Sequence, residues 1–391
     1  METFELGHIN RFIFQKHHLT EDSKIDDIIQ ITNDLCGLHS TGLRTSYLSL
    51  FVRTNNFKKT ELERELYINR TLGRIRGMRR TLFIHTKEMI PIVYAATFKL
   101  SEKNFEKYME FHKISFTKYQ EISTQIMNIL NERELSASDI RKELNSKLNI
   151  PAIIHLMCDY GLLIRGQPIK DWKDKRNKYA LFKDYFPTID LDIENENQAI
   201  QILVMKYLKG YGPASENDLS WWTGLTKTKI REALNFIKSD IKKVKISSVK
   251  GTFITSKSDI EKLQNLNNVD KPSLLFLPEL DPYPMGYNYR DRYINPNNYN
   301  KIFDRSGNIA ATIFIDGVAV GVWDIEEKPE PTLKYHLFYP IEKSLLEELY
   351  SKAEKIGKFI FDEKVHILEC DSMIPLTERT AGGFMSPLKN S

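Results

Sequence analysis

Residues 211–256 constrain the fold more than any other stretch, because signals for two helices follow one another there at close spacing. Pro213 interrupts whatever precedes it. Ser215, with Asp218 three residues later, has the spacing of a capped helix start. Thr226 follows a Gly-containing turn and has the side chain of a second cap. The sequence therefore predicts a short helix, a tight turn and a second helix.

The second helix is predicted to be basic and to lead into a hairpin. Its apolar face repeats at Ile230, Leu234 and Ile237, and cations lie off that face at Lys227, Lys229 and Arg231. Two strand-like runs, residues 244–249 and 252–256, then meet at Lys250-Gly251. Helix, turn, basic helix and hairpin is the order of a winged helix-turn-helix, which places a helix in a DNA groove. Winged helices that bind only protein share this order, and a lysine-rich face is often merely solvated.

The same order of elements recurs twice before residue 211, by pattern and without sequence identity. The first copy has a polar segment between Gly37 and Gly42 and a basic, then strand-like, run over residues 74–86. The second has helix signals over residues 120–160 and two strand runs with a basic connection. A β-rich region with an Asp-Gly hairpin and one long helix follows. We therefore expect four domains, three winged helices over residues 1–114, 115–195 and 196–265, and a β-rich domain over residues 266–391.

Composition narrows the functional classes. A chain of 391 residues is long enough for two to four domains, and its net charge of +4 permits a polyanionic partner without requiring one. The three cysteines are far apart, which indicates neither a disulfide framework nor a zinc site and fits a reducing compartment. The polar N-terminus does not read as a signal peptide, and no run of about 18 apolar residues predicts a membrane helix.

Five strings occur in an order that resembles one known family. They are GLHST followed by YLSLFVR, MRRTLFIHT, YGPASENDLSWWTGL, LPELDPYPMGY and FIDGVAVGVW, within residues 6–367. They resemble the winged-helix DNA glycosylases of the AlkZ and YcaQ type. The resemblance implies an α+β protein with three tandem winged helices and a C-terminal β-rich domain around a basic concave channel. It also implies excision of alkylated bases, typically N7-alkylpurines, and in some members the unhooking of interstrand crosslinks.

The catalytic pair implied by the resemblance is Gln-x-Gln or Gln-x-Asp, immediately before the segment that matches YLSLFVR. This chain has His39-Ser40-Thr41 at that place, so His39 and Thr41 become the catalytic candidates. Neutral His39 could accept a proton from the attacking water, with an unperturbed pKa of about 6.5. Thr41 could orient that water without supplying charge. The alternative is that His39 is a packed histidine without a catalytic role.

Clustered cations supply the candidates for DNA contact. Arginine suits phosphate through its forked donors, although surface ion pairs with nearby glutamates would give the same pattern. Asp281, in LPELDPYPMGY, is a further channel candidate, and a turn role explains it equally well. The DNA-binding candidates are Arg44, Arg74, Arg76, Arg79, Arg80, Lys173, Lys175, Arg176, Lys227, Lys229, Arg290 and Arg292.

The sequence thus predicts a monofunctional DNA glycosylase that acts on double-stranded DNA with alkylated bases. We expect no cofactor and no metal, no membrane association, a monomer, and a cytoplasmic, nucleoid-associated location. The alternative is a winged-helix regulator or damage sensor that binds DNA without catalysis. A protein-interaction scaffold is a third hypothesis, and salt-insensitive DNA affinity would favour it.

Overall fold

The computed structural model describes residues 1–192, 195–266, 272–379 and 385–386 of the chain. Helices and several small sheets make up this part, so the chain is a mixed α and β protein. The predicted domain boundary at residue 266 adjoins residues 267–271, which lie outside the described residues. Within the described ranges, no helix is both long and apolar enough to cross a bilayer.

The first group of elements follows strand β1 (Thr3–Phe4) and helix α1 (Leu6–Lys16). It consists of α2 (Ile28–Asp34), β2 (Leu38–His39), α3 (Leu43–Phe51), α4 (Lys59–Glu63) with a π-helical continuation (Arg64–Ile68), β3 (Leu72–Arg76), a 3₁₀ turn (Met78–Arg80) and β4 (Leu82–Thr86). Its sheet has the order β2-β4-β3, with β4 antiparallel to both neighbours. Helices α5 (Met89–Glu102) and α6 (Phe105–Phe111) lead onward.

The second group repeats this order. It consists of α7 (Phe116–Ile129), β5 (Leu135–Ser136), α8 (Ala137–Glu143), α9 (Ile150–Asp159), β6 (Leu163–Pro168), β7 (Asn177–Leu181) and the short α10 (Phe182–Tyr185). Its sheet has the order β5-β7-β6, which is the arrangement of the first group. Ser136 and Asn149 cap α8 and α9 as their positions before the helical runs predict.

The third group takes its extra strand from the N-terminus. It consists of α11 (Glu196–Tyr211), α12 (Glu216–Thr223), α13 (Lys227–Phe236), β8 (Ile241–Ile246), β9 (Val249–Ser256) and α14 (Ser258–Gln264). An isolated bridge from Ala214 to Ile254 stands where the other groups have a strand. On the opposite edge, β1 pairs with β8 in parallel, so the first residues of the chain complete this sheet.

The C-terminal region is built on a five-stranded sheet. Its elements are β10 (Leu274–Leu277), α15 (Pro282–Met285), a 3₁₀ turn (Pro296–Asn298), α16 (Tyr299–Ile302), β11 (Thr312–Ile315), β12 (Val318–Glu326), β13 (Thr332–Leu337), α17 (Lys343–Phe361), β14 (His366–Glu369), β15 (Ser372–Met373) and β16 (Met385–Ser386). The strand order β10-β11-β12-β13-β14 includes the predicted Asp-Gly hairpin between β11 and β12.

The helix signals in residues 211–256 are confirmed. Ser215 accepts from the backbone of Asp218, and the Asp218 carboxylate accepts from the backbone N–H of Ser215, so the capping box is closed in both directions. Thr226 caps α13. Gly224 ends α12 with φ of 79°, a left-handed conformation that favours glycine.

The hairpin turn of the third group is three residues earlier than predicted. Ile246 pairs with Val249, so Ser247 and Ser248 form the turn, and Lys250-Gly251 lies inside β9. Ser248 adopts a left-handed φ of 65°, a conformation that usually favours glycine. The register buries the apolar residues of both strands, and this burial determines the turn position more strongly than turn propensity does.

Two hydrophobic cores join the groups to the C-terminal region. One packs α1, α11 and α13 against residues around Tyr283, Tyr287 and Tyr293. The other packs α2, α3 and α4 against the five-stranded sheet and α17. Because these cores are shared, the first and third groups are held at fixed positions relative to the C-terminal region.

Candidate DNA-binding and catalytic site

His39 ends strand β2 and is 4% exposed. Its ring meets Phe83 of β4 edge to face, with 5.2 Å between ring centroids, and its Nδ1 is buried without a hydrogen-bond partner among the described residues. Burial, followed by the charges of Arg79 and Arg74, lowers the pKa of His39 to about 4. His39 is therefore neutral throughout the physiological pH range, and the expectation of an unperturbed pKa is wrong.

Ser40 is fixed between the two catalytic candidates by Arg74. The Arg74 guanidinium donates to the Ser40 carbonyl oxygen from Nε at 3.1 Å and from Nη2 at 2.5 Å. Its Nη1 donates to the Asn177 side chain at 2.7 Å, which ties the second group to this segment. Burial lowers the pKa of Arg74 to about 10. In this conformation Arg74 positions the segment that carries the two catalytic candidates. All three of its guanidinium nitrogens already donate hydrogen bonds within the protein, so Arg74 is not available to bind a phosphate.

Thr41 is exposed at the start of α3, beside the mouth of a cleft. The cleft has a volume of about 580 Å³ and lies between the first turns of α3 and the C-terminal sheet. Arg44 and Thr45 of α3 line one side, and Trp323 and Asp324 of β12 line the other. Burial raises the pKa of Asp324. The cleft has the size of a small-molecule site and combines aromatic, apolar and charged walls.

Asp281 lies at the opposite end of α3 from Thr41 and is fully buried. Its carboxylate accepts both arms of the Arg53 guanidinium, at 2.8 and 2.7 Å, and also the Ser49 hydroxyl at 3.1 Å. Its Oδ1 accepts from the backbone of Tyr283 at the start of α15. Asp281 thus joins α3 to the C-terminal region, which supports the turn role and places its carboxylate away from solvent. Arg53 was missed because its partner is 228 positions away in the sequence.

The β3–β4 hairpin carries three further arginines, and their surroundings differ. Arg76 donates to Asp159 at 2.5 Å and contacts His155 of the second group. Arg79 and Arg80 form the tip, and the Arg79 guanidinium lies 4.0 Å from the centre of the Trp221 ring. Burial and the charge of Arg290 lower the pKa of Arg79 to about 10.

Arg290 and Arg292 differ in exposure. Arg290 is half-buried, 3.6 Å from the Phe303 ring centre, and donates to the Gly307 carbonyl oxygen at 3.0 Å. Arg292 is buried over Tyr287, and it donates to the Pro213 carbonyl oxygen at 3.3 Å. Arg292 therefore supports the third group from inside.

The remaining cations lie nearer the surface. Lys175, Arg176 and Lys227 are exposed, although Arg176 pairs with Asp174. Lys173 contacts the Phe361 ring, Lys229 pairs with Glu196, and Arg44 pairs with Glu327. The structure thus brings Arg79 and Arg290 together at Trp221, and it leaves the lysines and Arg176 spread over separate surfaces.

No metal site is evident in the part of the chain that the structure describes, since three or more histidine, cysteine or acidic side chains do not gather there.

Comparison with known proteins agrees with this architecture. The structure is similar to the Streptomyces sahachiroi DNA glycosylase AlkZ, with a TM-score of 0.76, 16% sequence identity, and coverage of 94% of this chain and 100% of that chain. No curated protein sequence matches. The family described as "DNA glycosylase AlkZ-like" matches residues 32–359, which include His39, α3, the hairpin arginines and most of the C-terminal sheet. On the strength of that match, the chain belongs to the AlkZ-like DNA glycosylase family.

Proposed function

We propose that this protein is a monofunctional DNA glycosylase that hydrolyses the N-glycosidic bond of cationic N7-alkylpurines in duplex DNA. The observation that carries the proposal is the family match over residues 32–359. Within that range, the polar segment with neutral His39 lies where the sequence resemblance implies the catalytic pair. Interstrand crosslinks formed through N7 of guanine belong to the same chemical class. The protein is proposed to act as a monomer.

Cleavage of such a substrate requires little catalytic assistance. An N7-alkylpurine already carries a positive charge, so the base leaves readily once water is positioned and the developing sugar cation is tolerated. A protonated histidine would repel both charges, whereas burial keeps His39 neutral. Neutral His39 is proposed to accept a proton from water, and Thr41 to orient it. A pKa of about 4 makes His39 a weak base, which restricts the reaction to labile, cationic adducts.

The repeated groups are proposed to be three winged helices around a basic channel. Each has two helices followed by a hairpin, and the hairpin forms two strands of a three-stranded sheet. Cations lie on the first two hairpins. The proposed domains are residues 1–114, 115–195, 196–265 and 266–391. Strand β1 belongs to the first of these in sequence but pairs with β8 in the sheet of the third. The cleft between α3 and β12 is proposed to hold the alkyl group, because a volume of about 580 Å³ accommodates a bulky adduct.

The test is release of N7-methylguanine from a labelled duplex that contains one such base, with enzyme in excess. We expect time-dependent abasic sites, and at least tenfold slower release by His39→Ala. His336→Ala is the matched control, because His336 is a half-buried histidine of β13 whose removal should leave release unchanged. Equal release by wild type and His39→Ala would remove His39 from the mechanism.

A non-catalytic damage sensor is the second candidate. The observation that favours it is that His39 is almost fully buried and Thr41 supplies no charge, where the family's pair has glutamine and a second amide or carboxylate. Salt-dependent binding to the alkylated duplex without any abasic product would select this function.

A further inference from the structure

The tip of the β3–β4 hairpin packs against the C-terminal end of α12 in the third group. Arg79 lies over Trp221 of α12, 4.0 Å from the ring centre. The backbones are also close, because a Cβ added at Gly224 would lie 3.2 Å from the backbone N and Cα of Arg79. The position of the Arg79 guanidinium is therefore fixed by both its ring contact and its backbone contact.

A second guanidinium reaches the same indole from the C-terminal region. Arg290 lies 5.5 Å from the Trp221 ring centre and is held from behind by Phe303 and by the Gly307 carbonyl oxygen. Arg79, Trp221 and Arg290 come from three separate parts of the chain. We call these three residues the arginine–tryptophan cluster; Arg80 is the neighbour of Arg79 at the hairpin tip.

The cations of this cluster lack a direct ion-pair partner in the described part of the chain. Among the described residues, no carboxylate forms an ion pair with Arg79, Arg80 or Arg290. The Nε of each is buried and has no hydrogen-bond partner there. Burial and the charge of Arg290 lower the pKa of Arg79 to about 10. Burial lowers the pKa of Arg290, an effect that the Asp304 carboxylate partly offsets. Holding half-buried cations without a direct ion-pair partner is unfavourable, and a bound anion would relieve that cost.

The hairpin tip is also strained. Arg79 and Arg80 are consecutive non-glycine residues with φ of 51° and 59°. A left-handed conformation costs an ordinary residue roughly 1–2 kcal/mol, and such strain concentrates at ligand clamps. Arg79 and Arg80 are the two central residues of the turn that the Thr81 N–H closes on the Met78 carbonyl oxygen. Hairpins favour left-handed residues at these positions, usually glycine or asparagine, so arginine at both is the unusual feature.

We propose that the arginine–tryptophan cluster is a clamp for one backbone phosphodiester of the bound DNA strand. The forked guanidinium donors match phosphate oxygens, and both guanidinium groups lie within 5.5 Å of the Trp221 ring centre. This inference rests on the proposed function, since DNA supplies the phosphate. The clamp also bears on how a cationic base could bind near His39. The positive charge of Arg79 acts on His39, and it would repel a cationic base nearby. A phosphate seated on Arg79 neutralises that charge when DNA is bound.

The test is binding of the full-length protein to an undamaged duplex, measured by anisotropy between 50 and 400 mM KCl. Each phosphate contact contributes about 0.9 to the slope of log affinity against log salt. We expect Arg79→Gln and Arg290→Gln each to reduce that slope by about one contact and to weaken binding about tenfold near 0.15 M salt. Because the two share one phosphate, the double variant should lose little more than either single variant. Arg64→Gln, which removes an exposed arginine of the π-helical turn, is the control and should keep the wild-type slope.

Unchanged slopes, or losses that multiply in the double variant, would overturn the clamp. If Arg79→Gln fails to fold, as judged by circular dichroism, the slope of Arg290→Gln decides alone. Base release is scored separately. Lost slope with no release by the wild type would keep the clamp and reject the glycosylase, whereas release with unchanged slopes would reject the clamp and keep the enzyme.

Discussion

Single residues at this site owe their properties to burial more than to type. His39 is an ordinary histidine in sequence, but desolvation and two arginines hold it neutral. Arg74 lies in β3 and Arg79 lies at the tip of the same hairpin, yet Arg74 donates to the Ser40 carbonyl oxygen and the Nε of Arg79 has no hydrogen-bond partner among the described residues. The sequence could identify these residues as candidates, because His39 and Arg79 lie in the motif strings and Arg74 lies in the same dense group of arginines. It could not assign their exposures, which depend on the second and third groups.

Thr41 offers a direct test of the missing charge. The resemblance places a glutamine or aspartate there, and Thr41 is exposed at the start of α3, where a carboxylate also suits the helix dipole. We predict that Thr41→Asp raises the rate of N7-methylguanine release at least tenfold by stabilising the sugar cation. Thr41→Asn is the neutral control of equal size. Equal rates for the two variants would show that charge at this position does not reach the reacting sugar.

The buried ion pair between Arg53 and Asp281 gives a stability prediction. Asp281→Ala leaves a fully buried guanidinium unpaired, so we expect a loss of about 3–5 kcal/mol in the free energy of unfolding. Glu327→Ala breaks the exposed pair with Arg44, whose side chains are 34% and 55% exposed, and should cost below about 1 kcal/mol. Urea titration of both variants measures the difference. Similar losses would contradict the role of Asp281 as the link between α3 and the C-terminal region.

At the scale of elements, the helix caps were predictable from local signals, whereas the hairpin turn and the partners of the cations were not. The caps at Ser215 and Thr226 depend on residues within four positions, so the sequence located α12 and α13 well. On α13, Lys229 is paired with Glu196 of α11 and Arg231 with Glu216 of α12, so part of its positive charge is offset by other helices. In the first group, the helix before the hairpin is acidic instead of basic. DNA contact through a basic recognition helix is therefore less favoured than contact through hairpin tips.

The turn between α12 and α13 contacts the hairpin tip, and adding one methyl group at Gly224 tests this contact. Gly224→Ala forces an alanine into φ of 79° and brings its Cβ against the Arg79 backbone, so we predict a loss of about 1–2 kcal/mol in unfolding free energy. Gly7→Ala, in α1 with open space around it, should be neutral or stabilising by up to about 1 kcal/mol. Thermal unfolding compares them. An unaffected Gly224→Ala protein would mean that the hairpin tip and this turn are not in firm contact.

Across the whole molecule, the order of elements was predictable and their assembly was not. The repeated pattern gave three groups and a β-rich end because turn and cap residues recur at similar spacing. Two features depend on contacts across hundreds of residues, namely the pairing of β1 with β8 and the shared hydrophobic cores. The cleft beside α3 and the arginine–tryptophan cluster arise from that assembly, so no local signal could have revealed them.

The most direct test of the proposed chemistry is the pH dependence of N7-methylguanine release under single-turnover conditions, from pH 5.5 to 8.5. The fraction of neutral His39 rises as pH increases through its pKa of about 4 and is complete above pH 5.5. We therefore predict release that is constant across the whole range and that is at least tenfold slower in His39→Ala. A rate that climbs through pH 6.5, or no release by protein that still binds the duplex, would contradict catalysis by a buried, neutral His39.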